Sequence, residues 1–202
     1  MSSRSHFKSK FLRRFVLYGF LFVAYVLLGT TIHNANQEIK VSDYLMESAM
    51  DIAKIRSQES KVVIEREKKL TKSPDYEFSD KLKGKIVLQV ESNGEAWYID
   101  PIDLKRYYFG SPRETYLFIR EKSKYLSGEE IFDYLFFEKI FPKELSGRFI
   151  ANQDEDNEFY YVLPDSLLAV KINSAKEAFR LLKDNGVGIS NQEIRKIEVG
   201  EY

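Results

Sequence analysis

From about Leu82 onward the chain matches itself, without a gap, at a shift of 63 residues. Leu82 pairs with Leu145, Gly84 with Gly147, Glu95 with Glu158, Tyr98 with Tyr161 and Pro101 with Pro164. The match continues through Leu104 and Leu167, Ser111 and Ser174, Glu114 and Glu177, Ser127 and Ser190, Glu130 and Glu193, and Ile131 and Ile194. A period of this size marks a duplicated supersecondary unit, so residues 82–144 and 145–202 are expected to form two related units rather than one enzyme fold.

The N-terminus has a different job. Phe15 to Ile32 carries no charge, and at ~1.5 Å rise per helical residue it just crosses a hydrocarbon core of ~30 Å. Residues 15–32 are therefore read as a transmembrane helix in contact with the lipid bilayer. Arg4, Lys8, Lys10, Arg13 and Arg14 precede it with no acid among them. The positive-inside rule then makes residues 1–14 a cytoplasmic tail and exports everything after the span. A cleaved secretory signal has a shorter apolar run ending in a small-x-small site, and the run Gly29 to Ala35 offers no such site, so an uncleaved signal anchor in the plasma membrane is favoured.

With five of its 31 basic residues in that tail and all 31 acidic residues beyond it, the exported part is net negative. Such a surface repels nucleic acid. The chain has no cysteine, which removes a disulfide framework, a thiolate metal site and a cysteine nucleophile. Stability must come from a core, and hydrophobic residues at 44% with aromatics at 14% supply one.

Residues 33–72 read as a helical stalk, because Asn36 to Lys69 contains neither Gly nor Pro. Val41, Leu45, Ile52, Ile55 and Val62 form a heptad seam interrupted by Ser48 and Glu59, which suits a solvated spacer better than a coiled coil. A homo-oligomer through the stalk is the competing use of that helix. Residues 73–81 follow as a polar linker broken by Pro74.

Within each unit the pattern predicts three strands followed by two short helices. Ile86 to Ser92 and Glu95 to Asp100 flank Asn93-Gly94, the pair best suited to a two-residue type I′ turn. That turn would set Val90 opposite Trp97 and Leu88 opposite Ile99, and place Ile86, Leu88, Val90, Trp97 and Ile99 on one face. Lys105 to Phe109 makes the third strand. Phe149 to Gln153, Phe159 to Leu163 and Leu168 to Ile172 repeat the layout. Capping boxes open the helices at Ser111 and Ser174 and again at Ser127 and Ser190, each serine followed three residues later by glutamate.

Chemistry is sparse. The two histidines, His6 and His33, lie outside the repeats, so nucleophile–base pairs and zinc sites lack their usual members there. Glu95 and Glu158 hold equivalent places, which suits a structural role at a hairpin better than an asymmetric acid and base. The acidic run Asp154 to Glu158 lacks the glycine and alternating ligands of a calcium loop and reads as a hairpin tip. No cofactor is expected.

Residues particular to the first unit are freer to serve a partner. Arg106, Tyr107, Tyr108 and Arg113 stand where the second unit has Ala169, Val170, Lys171 and Lys176, and arginine beside tyrosine suits a binding surface or stacking on a sugar. Ile131 to Phe141 is apolar on more than one helical stripe, and a helix apolar almost all round is buried or meets a partner. Phe132, Phe136, Phe137 and Phe141 are its candidate interface residues.

The strings Gly94 to Pro101 (GEAWYIDP), Lys105 to Gly110 (KRYYFG) and Asn185 to Asn191 (NGVGISN) resemble a short repeat module of GEAWYVNP, KRYYLG and LGLGIS type. That module is met in secreted and membrane-anchored proteins of ultrasmall-genome bacteria. The first unit keeps the aromatic half of the pattern and the second the glycine-rich half. The resemblance implies an envelope-facing accessory module with no catalytic residue to transfer.

The sequence thus predicts an α+β protein with an N-terminal transmembrane helix and helical stalk, then two tandem βββαα units. The expected role is noncatalytic: a single-pass envelope protein whose exported domain binds an envelope protein or cell-wall glycan. The alternatives are a subunit of a membrane-associated assembly, such as a secretion or pilus machine, and an envelope hydrolase working with carboxylates alone.

Overall fold

The computed structural model describes residues 46–201. The expected tail, membrane span and stalk as far as residue 45 lie outside the described residues. Among those described, no helix is long and apolar enough to cross a membrane. The described residues fall into two units, 46–53 and 54–201. Of the first, residues 46–53 are helical and belong to helix α1, which covers residues 46–70.

The second unit is mixed α+β with two four-stranded sheets. Its elements are α2 (Tyr76–Lys81), β1 (Ile86–Gln89), β2 (Glu95–Ile99), β3 (Arg106–Tyr108), α3 (Pro112–Lys122), β4 (Lys124–Leu126) and α4 (Gly128–Phe132). A π-helical turn, Asp133–Glu138, and a 3-10 turn, Lys143–Leu145, lead to β5 (Phe149–Asn152), β6 (Phe159–Val162), β7 (Ala169–Ile172), α5 (Ala175–Asp184), β8 (Val187–Ile189) and α6 (Asn191–Ile194). From β1 to α4, each helix and strand has one of its own kind 63 residues on, to within a residue at either end.

The sheets are built by exchange. The first runs β3-β2-β1-β8 and the second β4-β5-β6-β7. β8 lies parallel to β1, with Val87 opposite Val187, and β4 lies parallel to β5, with Lys124 opposite Ile150. The expected three-strand, two-helix unit therefore needs correction: a fourth strand separates its helices and joins the other half's sheet. These strands are only three residues long, too short to show a period of two, and they cover the edges that β1 and β5 would otherwise expose.

The two halves meet at a close glycine pair. Gly84 and Gly147 have φ of +73° and +72°, and a Cβ on Gly84 would lie 2.5 Å from the Cα of Gly147. Across this junction the Tyr98 hydroxyl donates to the Gly147 carbonyl at 2.8 Å, and the Tyr161 hydroxyl donates to the Gly84 carbonyl at 2.5 Å. Burial pushes both phenols up, so both remain protonated donors.

Around them lies the central core. It joins Ile86, Ala96, Tyr98 and Phe109 of the first sheet region to Phe149, Phe159, Tyr161 and Ile172 of the second, with Phe118 from α3 and Leu182 from α5. The opposite face of each sheet is covered too. Val87, Trp97 and Ile99 pack with Ile189, Ile194 and Ile197, and with Val63, Ile64 and Phe78 from α1 and α2. Ile150, Tyr160 and Val162 pack with Leu126, Ile131, Phe141 and Leu145.

Three local readings change. The first hairpin pairs Gln89 with Glu95, Leu88 with Ala96 and Val87 with Trp97, so its loop is five residues long and not a two-residue turn. Only Gly94 of the Asn93-Gly94 pair has positive φ, and the Glu95 carboxylate organises the loop by accepting from Asn93 N at 2.8 Å and Ser92 Oγ at 3.2 Å. This register puts Ile86 and Leu88 on the central core and Trp97 and Ile99 on the outer face.

The linker holds a helix: Asp75 caps α2 through Phe78 N. Of the four capping boxes, those at Ser127 and Ser190 are complete. Ser111 and Ser174 cap their helices, but Glu114 accepts from the Ser60 and Ser111 hydroxyls and Glu177 accepts from Asn173 N.

Gly84→Ala should meet both the backbone of Gly147 and an unfavourable φ. We expect a loss of about 2–4 kcal/mol in chemical denaturation, against about 1 kcal/mol for Tyr98→Phe, which removes one hydrogen bond. Equal stability of Gly84→Ala and the parent would refute the close approach.

Candidate functional site

Of the residues singled out in the first unit, Arg106 and Tyr108 pack on Trp97, and most of the four face inward. Arg106 is fully buried beneath α1. Its Nε donates to the Ile197 carbonyl at 3.0 Å, Nη1 and Nη2 donate to Glu67 Oε2 at 3.3 Å, and Nη2 donates to Thr71 Oγ1 at 2.9 Å. Its guanidinium carbon lies 4.4 Å from the centre of the Trp97 ring. Ligand contact at Arg106 is thus replaced by a structural role, because the group is fully buried and each of its three nitrogens already donates within the fold.

Tyr107 is also buried, on the central core, with its hydroxyl donating to Asp103 Oδ2 at 2.5 Å. Tyr108 is half-buried and packs on Trp97 at 5.0 Å between ring centres. Burial, with the charge of Glu95 nearby, pushes its phenol up to about 12. Arg113 stands exposed in the first turn of α3, without an ion pair among the described residues. The structure therefore does not bring the four into one exposed surface.

The residue that organises this region is Glu67, which lies in the segment read as solvated stalk. It is fully buried and accepts from Arg106, from Arg195 Nη2 at 3.3 Å and from Arg66 Nε at 3.3 Å. Arg66 continues the web to Glu95 at 3.1 Å. Beside it, Trp97 Nε1 donates to Gln89 Oε1 at 3.2 Å, and Gln89 Nε2 donates to Asn191 Oδ1 at 2.5 Å. Among the described residues no buried side-chain polar atom lacks a partner.

Burial opposes ionisation of Glu67, but the hydrogen bond from Arg195 and the charge of Arg106 outweigh it and hold the carboxyl below the usual range. Burial pulls Arg106 down to about 10 despite Glu67, so both are charged at neutral pH. An anion held by three arginines is a clamp, not a proton acceptor. The available signal was a second stripe on α1, Ser60, Val63, Ile64 and Glu67, which faces the domain. Ile52, Ile55 and Val62 of the predicted seam are exposed.

The phenylalanine-rich stretch divides in two. α4 passes into the π-helical turn, whose wider spacing brings residues four and five apart onto one side. Phe132, Phe136 and Phe137 are 49%, 63% and 72% exposed, and Ile140 is exposed beside them in sequence. The Phe132 ring lies 4.6 Å from Phe136 and 5.8 Å from Phe137, centre to centre. Phe141 corrects the expectation: it is buried under the second sheet, 5.1 Å from Tyr134.

Other carboxylates are engaged. Glu158 accepts from Lys171 at 2.8 Å, from Asn152 Nδ2 at 3.0 Å and from the Tyr160 hydroxyl. Asp154, in the acidic tip, accepts from Gly128 N at 2.7 Å and so caps α4. Among the described residues no group of three or more His, Cys, Asp or Glu is arranged to hold a metal ion. No protein-family model, curated protein or solved structure matches the chain.

Glu67→Gln removes the charge that offsets Arg106 and should cost about 3–5 kcal/mol, whereas Glu67→Leu with Arg106→Met should restore part of that loss. Urea denaturation of the two variants checks both. The depressed carboxyls of Glu67, Glu95 and Glu158 contribute stability that is present above the unfolded value near 4.5 and lost as pH falls through the lower folded values. A melting temperature that drops between about pH 5 and pH 3, less steeply in Glu67→Gln, is the expected result.

Proposed function

We propose that this is a noncatalytic, membrane-anchored envelope protein whose exported domain docks another envelope protein through Phe132, Phe136 and Phe137. The observation that carries the reading is the three-ring cluster, since large exposed aromatic groups in contact with one another are rarely left in water without a use. Aromatic residues also dominate the energetic centres of protein interfaces. The wall-glycan reading loses its main support, because Arg106 and Tyr107 are buried.

In this proposal the apolar, uncharged run at 15–32 anchors the chain with residues 1–14 in the cytoplasm, and the rest is exported. The two halves of the exported domain are taken as copies of one βββαβα unit, interlocked by their fourth strands. The resemblance to a repeat module of secreted and membrane-anchored proteins points the same way. A subunit of a larger membrane-associated assembly is a special case of this reading, since such a subunit also needs an exposed apolar contact. The stalk seam at Ile52, Ile55 and Val62, exposed in the structure, is the surface through which a homo-oligomer would form.

A photo-crosslinking amino acid at Phe136 of the full-length protein in its native membrane should yield a discrete protein adduct. Phe137→Asp should remove that adduct while leaving the melting temperature within about 1–2 °C, as expected for an exposed position. Adducts with lipid alone, or none, would overturn the proposal.

A further inference from the structure

Beside each crossing tyrosine the fold leaves a small hollow, and the two hollows are lined by equivalent positions. The first, of about 250 Å³, is lined by Tyr98, Asp100, Lys122 and Arg148, with Asp103 and Glu121 also on its wall. The second, of about 190 Å³, has Tyr161, Leu163, Asn185 and Lys85 in their places. One backbone framework thus carries two chemistries.

Asp100 is the informative member. It is 7% exposed, and its Oδ1 accepts from Ile102 N at 2.8 Å, while Oδ2 accepts no hydrogen bond among the described residues. Burial raises this carboxyl, as does the charge of Asp103, against the Ile102 hydrogen bond and the charges of Lys122 and Arg148. Burying a carboxylate is costly unless it is compensated.

The turn does not require it. Leu104 N donates to the Asp100 carbonyl and Leu167 N to that of Leu163, both at 2.9 Å, and Asp100 N and Leu163 N donate to Lys105 and Leu168 at 2.9 and 2.8 Å. Leu104 and Leu167 share φ near +60°. With Leu163 the same turn forms without a carboxyl, so the turn needs at most the Oδ1 bond to Ile102 N and leaves Oδ2 unassigned.

The cations differ in the same sense. Lys85 is paired with Asp165 at 3.2 Å, but the Arg148 guanidinium makes no ion pair or side-chain hydrogen bond among the described residues. Lys122 lies over the Tyr107 ring at 5.1 Å and also forms no ion pair there. The first hollow therefore holds a buried carboxyl and two cations that form no ion pair with it, with Asp103 and Glu121 on the same wall. A cavity below the usual ~300–1,000 Å³ of ligand sites suits a very small molecule.

From this geometry we infer that the hollow binds a free amino acid, its ammonium on Asp100 and its carboxylate on Arg148 and Lys122. Asp103 adds negative charge only, since its oxygens already accept from Lys105 N and the Tyr107 hydroxyl; Glu121, on the same wall, adds to the acidic side that would receive the ammonium. The assignment is independent of the phenylalanine cluster.

The test uses the full-length protein in detergent and isothermal titration calorimetry with D-alanine, L-alanine, ethylamine and propionate. Either alanine should bind at least about tenfold more tightly than ethylamine or propionate, each of which meets one end of the site only. Asp100→Leu, which installs the residue of the second hollow, should abolish binding and cost no more stability than the single hydrogen bond to Ile102 N. Asp100→Asn keeps the turn acceptor and should also abolish it; Arg148→Gln should weaken it by about tenfold, and Lys85→Gln should leave it unchanged. No heat from either alanine, an affinity no better than that of ethylamine or propionate, or binding that survives Asp100→Asn would overturn the inference.

Discussion

Two backbones that approach closely enough to exclude a methyl group hold this fold together. Gly84 and Gly147 meet where the halves cross, and each half's buried tyrosine donates to the other's glycine carbonyl. A buried carbonyl without a partner is expensive, so each tyrosine answers a need created in the opposite half. The exchanged strands β4 and β8 extend the same reciprocity to the sheets. Neither half can close its own sheet edge or satisfy its own junction, so the two are expected to fold as one cooperative body.

The differences between the halves then become interpretable. The outer face of the first sheet is sealed by α1 through Val63, Ile64 and the Glu67 clamp. On the second sheet, Tyr134 and Leu135 of the π-helical turn pack inward while Phe132, Phe136 and Phe137 remain in water. At the junction, one hollow has a charged lining and the other has Leu163 and a paired lysine. Folding accounts for what the halves share; what differs is available for binding.

Spacing and propensity made several features legible. The offset of 63 residues is met by the elements, all four serines cap helices, and Trp97 is buried. The hairpin register was not legible from Asn93-Gly94, because the Glu95 side chain supplies acceptors that stabilise a wider loop. Arg106 beside tyrosines looked like surface recognition, since its partner Glu67 lies far away along the chain in a helix with an alternative apolar stripe. Asp100 was not legible as a binding group, because an aspartate before proline is ordinary in a turn and only the comparison with Leu163 shows that the turn can form without its carboxyl.

The sequence by itself determined the periodic part of this protein: the repeat, the order of strands and capped helices and the apolar run near the N-terminus. These are written in local spacing, where each residue acts on neighbours a few positions away. Tertiary structure alone decided the strand exchange, the Glu67–Arg106 pairing, the division of the phenylalanines into buried and exposed, and the charged hollow at the junction. Each of those depends on which surfaces meet across tens of residues, and burial, unlike propensity, is a property of the assembled fold.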